Sequence, residues 1–281
     1  MSADRLTAAI RDGVPLLVLS PHLDDAVLSC GALLTHARSR VSMTVATVFT
    51  EAGPRPYTLS ARRSLRLAGV KDAEELYASR RAEDREVLEG MGIVWRHLGL
   101  PEGLFRRKPG RMPDGSRRAH SVLPEAAYVY PTYRLHIVSG RISRFDGAAL
   151  AHIAAALDDL VPPEPRLLLA PLAVGGHVDH LLVRTAAELS NRGFGYYSDF
   201  PYNQRHSLDA GFSRRNALVT ETWHSDIADK AALIHGYRTQ APLLFPDGRI
   251  PLVPEVYLLP GRPALVARAD VRPPRGGPPW P

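Results

Sequence analysis

Cysteine is almost absent from this sequence, since Cys30 is the single cysteine among 281 residues. One cysteine excludes an internal disulfide and any zinc ribbon built on several cysteines. Long apolar runs are missing too: none approaches the roughly 20 residues that a membrane-spanning helix needs, and the N-terminus lacks the apolar core of a signal peptide. We therefore expect a soluble, cytoplasmic protein with no membrane span.

Lysine is scarce, so most of the positive charge behind the net value of +6 is arginine. The densest basic cluster consists of Arg106, Arg107, Lys108, Arg111, Arg117 and Arg118. Almost no aromatic side chains interleave with these charges, whereas proteins that bind single nucleic-acid strands use aromatic residues as stacking platforms. We interpret the cluster as a solvated loop, with contact to an anionic substrate as the alternative, and we expect no nucleic-acid partner.

Buried strands alternate with helices along the chain. The runs "LLVLS", "MTVATVFT" and "RLLLAP" are apolar or β-branched, as in strands of a parallel sheet covered on both faces. Helical spacing follows the first run from about Asp25 and recurs over residues 73–91, in "FDGAALAHIAAALDDL" and from about Asp226 to Thr239. We predict an α/β fold with a Rossmann-like, mostly parallel sheet, flanking helices and a small C-terminal extension. No G-x-G-x-x-G follows the first strand, which argues against a dinucleotide site.

The pattern predicts a single domain over residues 1–270, with an irregular insertion at about 101–145 and a Pro/Gly-rich tail at 271–281. Structureless segments as long as this insertion are usually functional or disordered. Its tyrosines are Tyr128, Tyr130 and Tyr133. We interpret them as residues that anchor the loop, with stacking on a sugar as the alternative.

Two of the predicted strands end in unusual polar residues. These are His22, Asp24 and Asp25 after the first strand, and His177, Asp179 and His180 after a later one. Ligands of open α/β sheets bind at the carboxyl ends of strands. Two imidazoles and one carboxylate suit a catalytic zinc, which takes three protein ligands and a water, and the remaining groups are suited to move protons or to donate to an oxyanion as an imidazolium. The residues alone thus predict a metal hydrolase of amides or esters.

Simpler interpretations exist for each residue taken singly. A histidine at a strand end is commonly a hydrogen-bonded structural residue. Asp24 or Asp25 can cap the following helix, and two histidines three positions apart occur often by chance. The occurrence of both clusters at corresponding strand ends favours the metal site.

The segments "HLDDAVLSCG" and "HVDH" together resemble the zinc-dependent de-N-acetylases related to GlcNAc-phosphatidylinositol deacetylase, often called the PIG-L or LmbE-like family. The resemblance implies that His22, Asp25 and His180 bind Zn²⁺, although the same ligands suit Fe²⁺ and other divalent ions. It makes Asp24 the general base. It also makes His177 the acid that stabilises the oxyanion or protonates the leaving amine, with Asp179 orienting His177.

Two further segments, "RRAEDREVLEGMGI" and "LGLPEG", are similar to parts of the family that contact substrate. They imply that Arg80 and Glu102 bind the substrate. The chain also departs from the family pattern, because Ala26 replaces a glutamate beside the metal and Gly175 stands where some members place a tyrosine that helps to hold the oxyanion.

The resemblance implies hydrolysis of the acetyl group from an N-acetylated amino-sugar conjugate of the GlcNAc type. An amidase that acts on a larger sugar or thiol conjugate with the same metal site is the nearest alternative. A non-catalytic module that binds sugar or nucleic acid is the alternative from another class. The partner expected is a small-molecule amino-sugar conjugate, and the pattern specifies no oligomeric state.

Overall fold

The computed structural model describes residues 5–109, 123–161, 164 and 166–261. The predicted tail at 271–281 and residues 110–122 of the predicted insertion lie outside the described residues. Within them, the α/β fold and the mostly parallel sheet are confirmed. No helix among the described residues is long and apolar enough to cross a membrane.

The sheet has seven strands in the described part of the chain. They are β1 (Leu16–Ser20), β2 (Met43–Glu51), β3 (Val94–Pro101), β4 (Leu167–Pro171), β5 (Gly195–Tyr197), β6 (Leu218–Trp223) and β7 (Glu255–Pro260). The helices are α1 (Arg5–Arg11), α2 (Asp25–Ala37), α3 (Leu59–Leu67), α4 (Ala73–Gly90), α5 (Gly147–Leu160), α6 (Val178–Leu189), α7 (Ala210–Arg215), α8 (Ile227–Ile234) and α9 (Ala241–Leu244).

The strand order is β3-β2-β1-β4-β5-β7-β6. Strands β1 to β5 pair in parallel, and β7 pairs antiparallel with both β5 and β6. The direction of winding reverses between β1 and β4, which are hydrogen-bonded neighbours. This topological switch opens a crevice at the carboxyl ends of the two strands, where ligands of such sheets bind.

Helices cover the sheet on both faces, which explains why β1 is buried along all five residues. Helices α2 and α8 contribute to one apolar core, and α5 and α6 contribute to the other. A third apolar cluster packs α3 and the irregular segment after β3 against the loop that follows β1. The described part of the insertion holds an isolated antiparallel bridge between Arg107 and Tyr128 and short helical turns at Pro124–Ala127, Tyr133–Ile137 and Arg144–Asp146.

Some local features differ from the sequence prediction. Helices α1 and α3 were not expected, and the helix predicted from about Asp226 to Thr239 is shorter because α8 ends at Ile234. Gly236 follows two residues beyond this end, and glycine is unfavourable inside a helix. Its missing side chain leaves room for α4, since an added Cβ would overlap Val87 Cγ2.

Candidate functional site

The two polar motifs meet at the switch between β1 and β4. The His22 ring lies 4.9 Å from the His177 ring and 5.1 Å from the His180 ring, measured between centroids. Ligand atoms of these three histidines all lie within 4.8 Å of one another. The parallel pairing of β1 with β4 causes this, because it places the ends of both strands at the same edge of the sheet.

Ser20 and Asp25 hold the loop after β1 by side-chain hydrogen bonds to its backbone. The Ser20 hydroxyl accepts a hydrogen bond from the Ala26 N–H at 3.0 Å. Asp24 occupies the cap position of α2, but its side chain makes no capping hydrogen bond. Asp25 accepts from the His22 N–H at 2.9 Å, which turns its carboxylate back over the loop. The alternative that either aspartate merely caps the helix therefore fails.

Two glycines in left-handed conformations directly precede the second motif. Gly175 has φ +87° and Gly176 has φ +71°, values that favour glycine. They bring His177 to the start of α6, where its Nδ1 accepts a hydrogen bond from the Asp179 N–H at 3.3 Å. A neutral His177 in this arrangement therefore has its proton on Nε2 and is able to donate it in a hydrogen bond.

Three atoms in the crevice have the spacing of metal ligands. Asp25 Oδ2 lies 3.1 Å from His22 Nδ1 and 3.2 Å from His180 Nε2. Zinc ligands at about 2.0–2.1 Å in a tetrahedron are roughly 3.3–3.4 Å apart. His180 Nε2 is buried and makes no hydrogen bond of acceptable geometry within the described chain. An orphaned, buried imidazole nitrogen that faces a carboxylate fits a metal ion.

His22 and His180 each contact a second buried carboxylate through the ring nitrogen that does not face Asp25. Asp179 Oδ2 lies 3.1 Å from His22 Nε2, and Asp199 Oδ1 lies 2.6 Å from His180 Nδ1. Such carboxylates fix the tautomer and orientation of histidines that bind metals. Sequence reasoning missed Asp199, which follows β5, and expected Asp179 to orient His177. Among the described residues, the Asp179 carboxylate hydrogen-bonds to His22 and not to His177.

His177 differs from the other two histidines. Burial lowers its pKa well below the ordinary value, and the positive charge of His22 lowers it further. Burial also disfavours the charged form of His180, but the Asp25 and Asp199 carboxylates outweigh it and raise that pKa to about 9. These surroundings favour the neutral form of the His177 ring over the imidazolium expected from the sequence.

Asp24 lies beside the three ligand-spaced atoms but contacts none of them by a hydrogen bond. Its carboxylate has no hydrogen-bond partner in the described part of the chain, although the residue is only 7% exposed. Burial, followed by the charge of Asp25, raises its pKa to about 7. A carboxylate of this kind is suited to take a proton near neutral pH.

A cavity of about 150 Å³ opens over these residues. Asp24, His177, Arg80 and Glu102 all line it, so the structure brings the expected substrate-binding pair to the same site. Arg80 Nη1 lies 3.6 Å from Glu102 Oε2. Burial raises the pKa of Glu102 to about 7. The cavity thus offers a cation and a carboxyl group beside the candidate metal centre.

Tyr202 also lines this cavity, and sequence reasoning missed it. An added Cβ at Gly175 would lie 3.4 Å from Tyr202 Cβ, so the Tyr202 side chain stands next to the place where a side chain at 175 would project. Burial and the Asp25 carboxylate hold its pKa well above the usual value, which keeps the hydroxyl protonated. No hydrogen bond from another described residue occupies that hydroxyl.

Arg106 corrects the interpretation of the basic cluster as a solvated loop. The residue is 5% exposed, and its guanidinium forms ion pairs with Asp179 and Asp146. Its neighbour Arg107 instead donates to the backbone oxygens of Pro54 and Arg55. Among the described members of the cluster, Arg106 therefore belongs to the site and Arg107 does not contact it. Arg111, Arg117 and Arg118 lie outside the described residues.

Two of the three tyrosines of the insertion anchor the loop, and the third faces the cavity. Tyr128 and Tyr130 are buried and hydrogen-bonded, to the Pro56 carbonyl and to the Asp146 carboxylate respectively, so both anchor the loop. Tyr133 is 43% exposed and lines the cavity near His177. Only Tyr133 retains a position from which it can contact a substrate.

Comparisons with known proteins agree with this geometry. A family model described as PIG-L, GlcNAc-PI de-N-acetylase, matches residues 17–189. A 2'-N-acetylparomamine deacetylase of Streptomyces fradiae is 31% identical over 217 residues, which cover 75% of this chain and 66% of that protein. The match thus spans just under two thirds of the relative's own length.

Solved structures share the fold. A teicoplanin deacetylase in its zinc-inhibited form superposes with a TM-score of 0.63 at 23% identity, over 87% of this chain and 97% of that one. The A40926 pseudoaglycone deacetylase gives a TM-score of 0.59 at 24% identity, over 88% of this chain and 96% of that one. At these identities the likeness establishes the architecture.

Proposed function

The chain belongs to the PIG-L family of GlcNAc-PI de-N-acetylases, and from this premise we propose that it is a zinc-dependent hydrolase that removes the acetyl group from an N-acetylated amino-sugar conjugate of the GlcNAc type. One observation carries the proposal: an unpartnered Asp24 carboxylate stands beside three atoms with the spacing of metal ligands. A non-catalytic binding module has no use for that carboxylate.

We assign the ion to His22 Nδ1, Asp25 Oδ2 and His180 Nε2, because these atoms converge and both histidines have a carboxylate behind them. His177 is close enough to be grouped with them, but its Nδ1 accepts from a backbone N–H and it has no such support. When bound, the ion supplies a Lewis acid that polarises the amide carbonyl and lowers the pKa of water. Zinc is the ion we propose, with Fe²⁺ as the alternative.

The remaining residues divide the reaction between them. Asp24 accepts the proton of the water whose oxygen attacks the acetyl carbon. His177 Nε2–H and the Tyr202 hydroxyl donate hydrogen bonds to the oxygen on which negative charge develops. When the carbon–nitrogen bond breaks, Asp24 returns the proton to the departing nitrogen. The products are acetic acid, which keeps the second proton of the water until it ionises to acetate, and the free amino sugar, so every atom of amide and water is accounted for.

Arg80 and Glu102 are proposed to hold the sugar. A larger cavity of about 750 Å³ adjoins the site and shares Ser64, Leu104 and Tyr133 with it. We propose that this space receives the carrier attached to the sugar, because it opens between α3 and the insertion. Two of the relatives are named for deacetylating paromamine and teicoplanin compounds, which supports an amino sugar on a substantial carrier.

The proposal is tested by incubating zinc-loaded protein with a panel of N-acetylglucosaminides and measuring acetate and free amine. Asp24→Ala serves as the matched control for contaminating activity. Release of both products in a one-to-one ratio by the wild type alone supports the deacetylase. Release of a larger acid identifies the alternative amidase, and no hydrolysis across the panel refutes both. The cytoplasmic location expected from the sequence stays a prediction.

A further inference from the structure

Arg106 is a buried cation that pairs with Asp179 behind the candidate metal centre. It lies five residues after the end of β3. Its guanidinium carbon stands 4.8 Å from the centroid of the Phe49 ring and 5.4 Å from the centroid of the Tyr130 ring. Its Nη2 donates to Asp179 Oδ1, and its Nε lies 3.1 Å from Asp146 Oδ1. Two aromatic faces and two carboxylates therefore fix the plane of this guanidinium, a geometry that lysine does not reproduce.

The Asp179 carboxylate is completely surrounded by donors. Oδ1 accepts from Arg106, while Oδ2 accepts from the Gly103 N–H at 2.8 Å and lies 3.1 Å from His22 Nε2. Asp179 itself has no exposed surface. The rotamer that Asp179 adopts is therefore set by Arg106 on one oxygen and by Gly103 on the other. The same rotamer determines where the His22 ring points.

Gly103 independently indicates how tightly this contact is built. An added Cβ there would lie 3.2 Å from Arg106 Nη2, 3.3 Å from Asp179 Oδ2 and 2.9 Å from Ile137 Cδ1. Even a methyl group would therefore push on both partners of the ion pair. Glycine at position 103 therefore leaves the space in which the Arg106 guanidinium and the Asp179 carboxylate make contact.

We propose that Arg106 is a positioning residue of the metal centre: through Asp179, it holds the His22 ring so that Nδ1 faces Asp25. The insertion is thereby part of the site, because Gly103, Arg106 and Tyr130 lie within it and Asp146 directly follows it. The inference rests on the proposed ion at His22, Asp25 and His180, but not on the identity of the substrate.

The test compares Arg106→Met, Arg106→Lys and the matched control Arg107→Met, which removes an adjacent arginine that contacts backbone oxygens away from Asp179. Metal dissociation constants are measured by chelator competition, and the visible spectrum of the Co²⁺-loaded protein reports ligand geometry. We expect Arg106→Met to weaken metal binding about 10- to 100-fold and to change the spectrum. Arg106→Lys should fall between it and the wild type, and Arg107→Met should match the wild type.

A double-mutant cycle separates positioning from general destabilisation. If Arg106 acts through Asp179, then Arg106→Met has no further effect on metal affinity in an Asp179→Asn background. Gly103→Ala provides a variant that keeps both charged groups, and it should weaken metal binding in the same direction. Wild-type affinity in Arg106→Met, or fully additive losses in the cycle, overturns the inference.

The outcomes also separate this inference from the proposed function. A wild type that binds metal and loses affinity in Arg106→Met, yet hydrolyses no N-acetyl sugar, supports the inference and refutes the function. A wild type that deacetylates and whose Arg106→Met variant binds metal equally well refutes the inference alone. A wild type that binds no metal refutes both.

Discussion

Among the residues of the site, Asp24 is the one whose carboxylate is left free. We predict that Asp24→Ala keeps its metal but loses roughly 10²- to 10⁴-fold in kcat, the contribution typical of a general base. Metal content by elemental analysis and kcat by acetate release check this. Asp25→Ala is the matched control and should lose metal as well as activity. A near-normal kcat in Asp24→Ala removes the residue from the mechanism.

The surroundings of Asp24 also predict the pH dependence of the reaction. Burial and Asp25 raise its pKa to about 7, and a cation bound nearby lowers it from there because it favours the carboxylate. Only the carboxylate accepts a proton, so kcat/KM should fall as the pH drops below a midpoint at or below about 7. A pH–rate profile measured at constant metal occupancy checks this. A flat profile down to pH 5 would contradict the assignment.

Tyr202 provides a prediction that does not involve titration. Tyr202→Phe removes a hydroxyl that no other described residue occupies, and the ring that packs beside Gly175 is kept. Loss of one donor to an oxyanion typically costs about 10²–10³ in kcat, so we expect that loss with little change in KM or metal content. Tyr133→Phe, in the same cavity, is the control. Equal effects of both variants would argue against a specific role for Tyr202.

The residues that sequence reasoning found and those it missed differ in where they lie. His22, Asp25 and His180 stand at the ends of apolar strands, where an unusual polar side chain is conspicuous. Asp199 and Arg106 come from segments with no regular period, and Arg106 is hidden among other arginines. Nothing in a one-dimensional pattern separates a buried arginine from a solvated one, because only packing against Asp179 distinguishes them.

At the level of elements, α2 is held from outside by a buried ion pair. Glu255, at the start of β7, accepts hydrogen bonds from the N–H groups of Ala32 at 2.9 Å and Leu33 at 3.0 Å, within α2, and from the Tyr257 hydroxyl at 2.7 Å. Lys230 on α8 is 1% exposed and places its Nζ 3.4 Å from Glu255 Oε1. The Glu255 carboxylate thus connects α2, β7 and α8.

We predict that Lys230→Met lowers the free energy of unfolding by about 3–5 kcal/mol, because it leaves a buried carboxylate without its cation. Urea denaturation followed by circular dichroism measures this. Arg238→Met is the control, since the Arg238–Glu86 pair is exposed and should matter far less. The double variant Lys230→Met/Glu255→Gln should regain part of the loss, and a Lys230→Met variant as stable as the wild type would contradict the prediction.

The strength of the local signal explains which elements could be predicted. Strand β1 and helix α5 were expected because each has an unambiguous apolar pattern and clear ends. Helix α3 was not, since only Ala61 and Leu65 of its nine residues are buried and the apolar stripe is too short to recognise. Its Thr58 cap, which accepts from the Ala61 N–H, is the signal that was available.

For the whole molecule, we predict that metal removal lowers the melting temperature. A ligand that binds only the folded state at 100 times its Kd stabilises it by about 2.7 kcal/mol, which corresponds to roughly 5–10 °C for a domain of this size. Thermal unfolding with and without a chelator measures the shift. His180→Ala is the control, and its melting temperature should not respond to chelator. A wild type that is equally indifferent would contradict a site coupled to folding.

At this scale the sequence predicted the fold class but not the full order of strands in the sheet. Alternation of strands and helices predicted the sheet, and the resemblance connected two motifs about 150 residues apart in the chain. The antiparallel placement of β7 between β5 and β6 was not predicted. Strand order depends on long-range pairing, which the pattern of a single short strand does not encode.

That placement of β7 has a consequence for how the protein is made. Synthesis proceeds from the N-terminus, and N-terminal parts begin to fold first. Until residues 255–260 leave the ribosome, β5 lacks its antiparallel partner, and the Glu255 carboxylate is not present to accept from the Ala32 and Leu33 N–H groups. Open strand edges are templates for aggregation. The nascent chain therefore carries an exposed strand edge until late in translation, and the last of the described strands covers that edge when it enters the sheet.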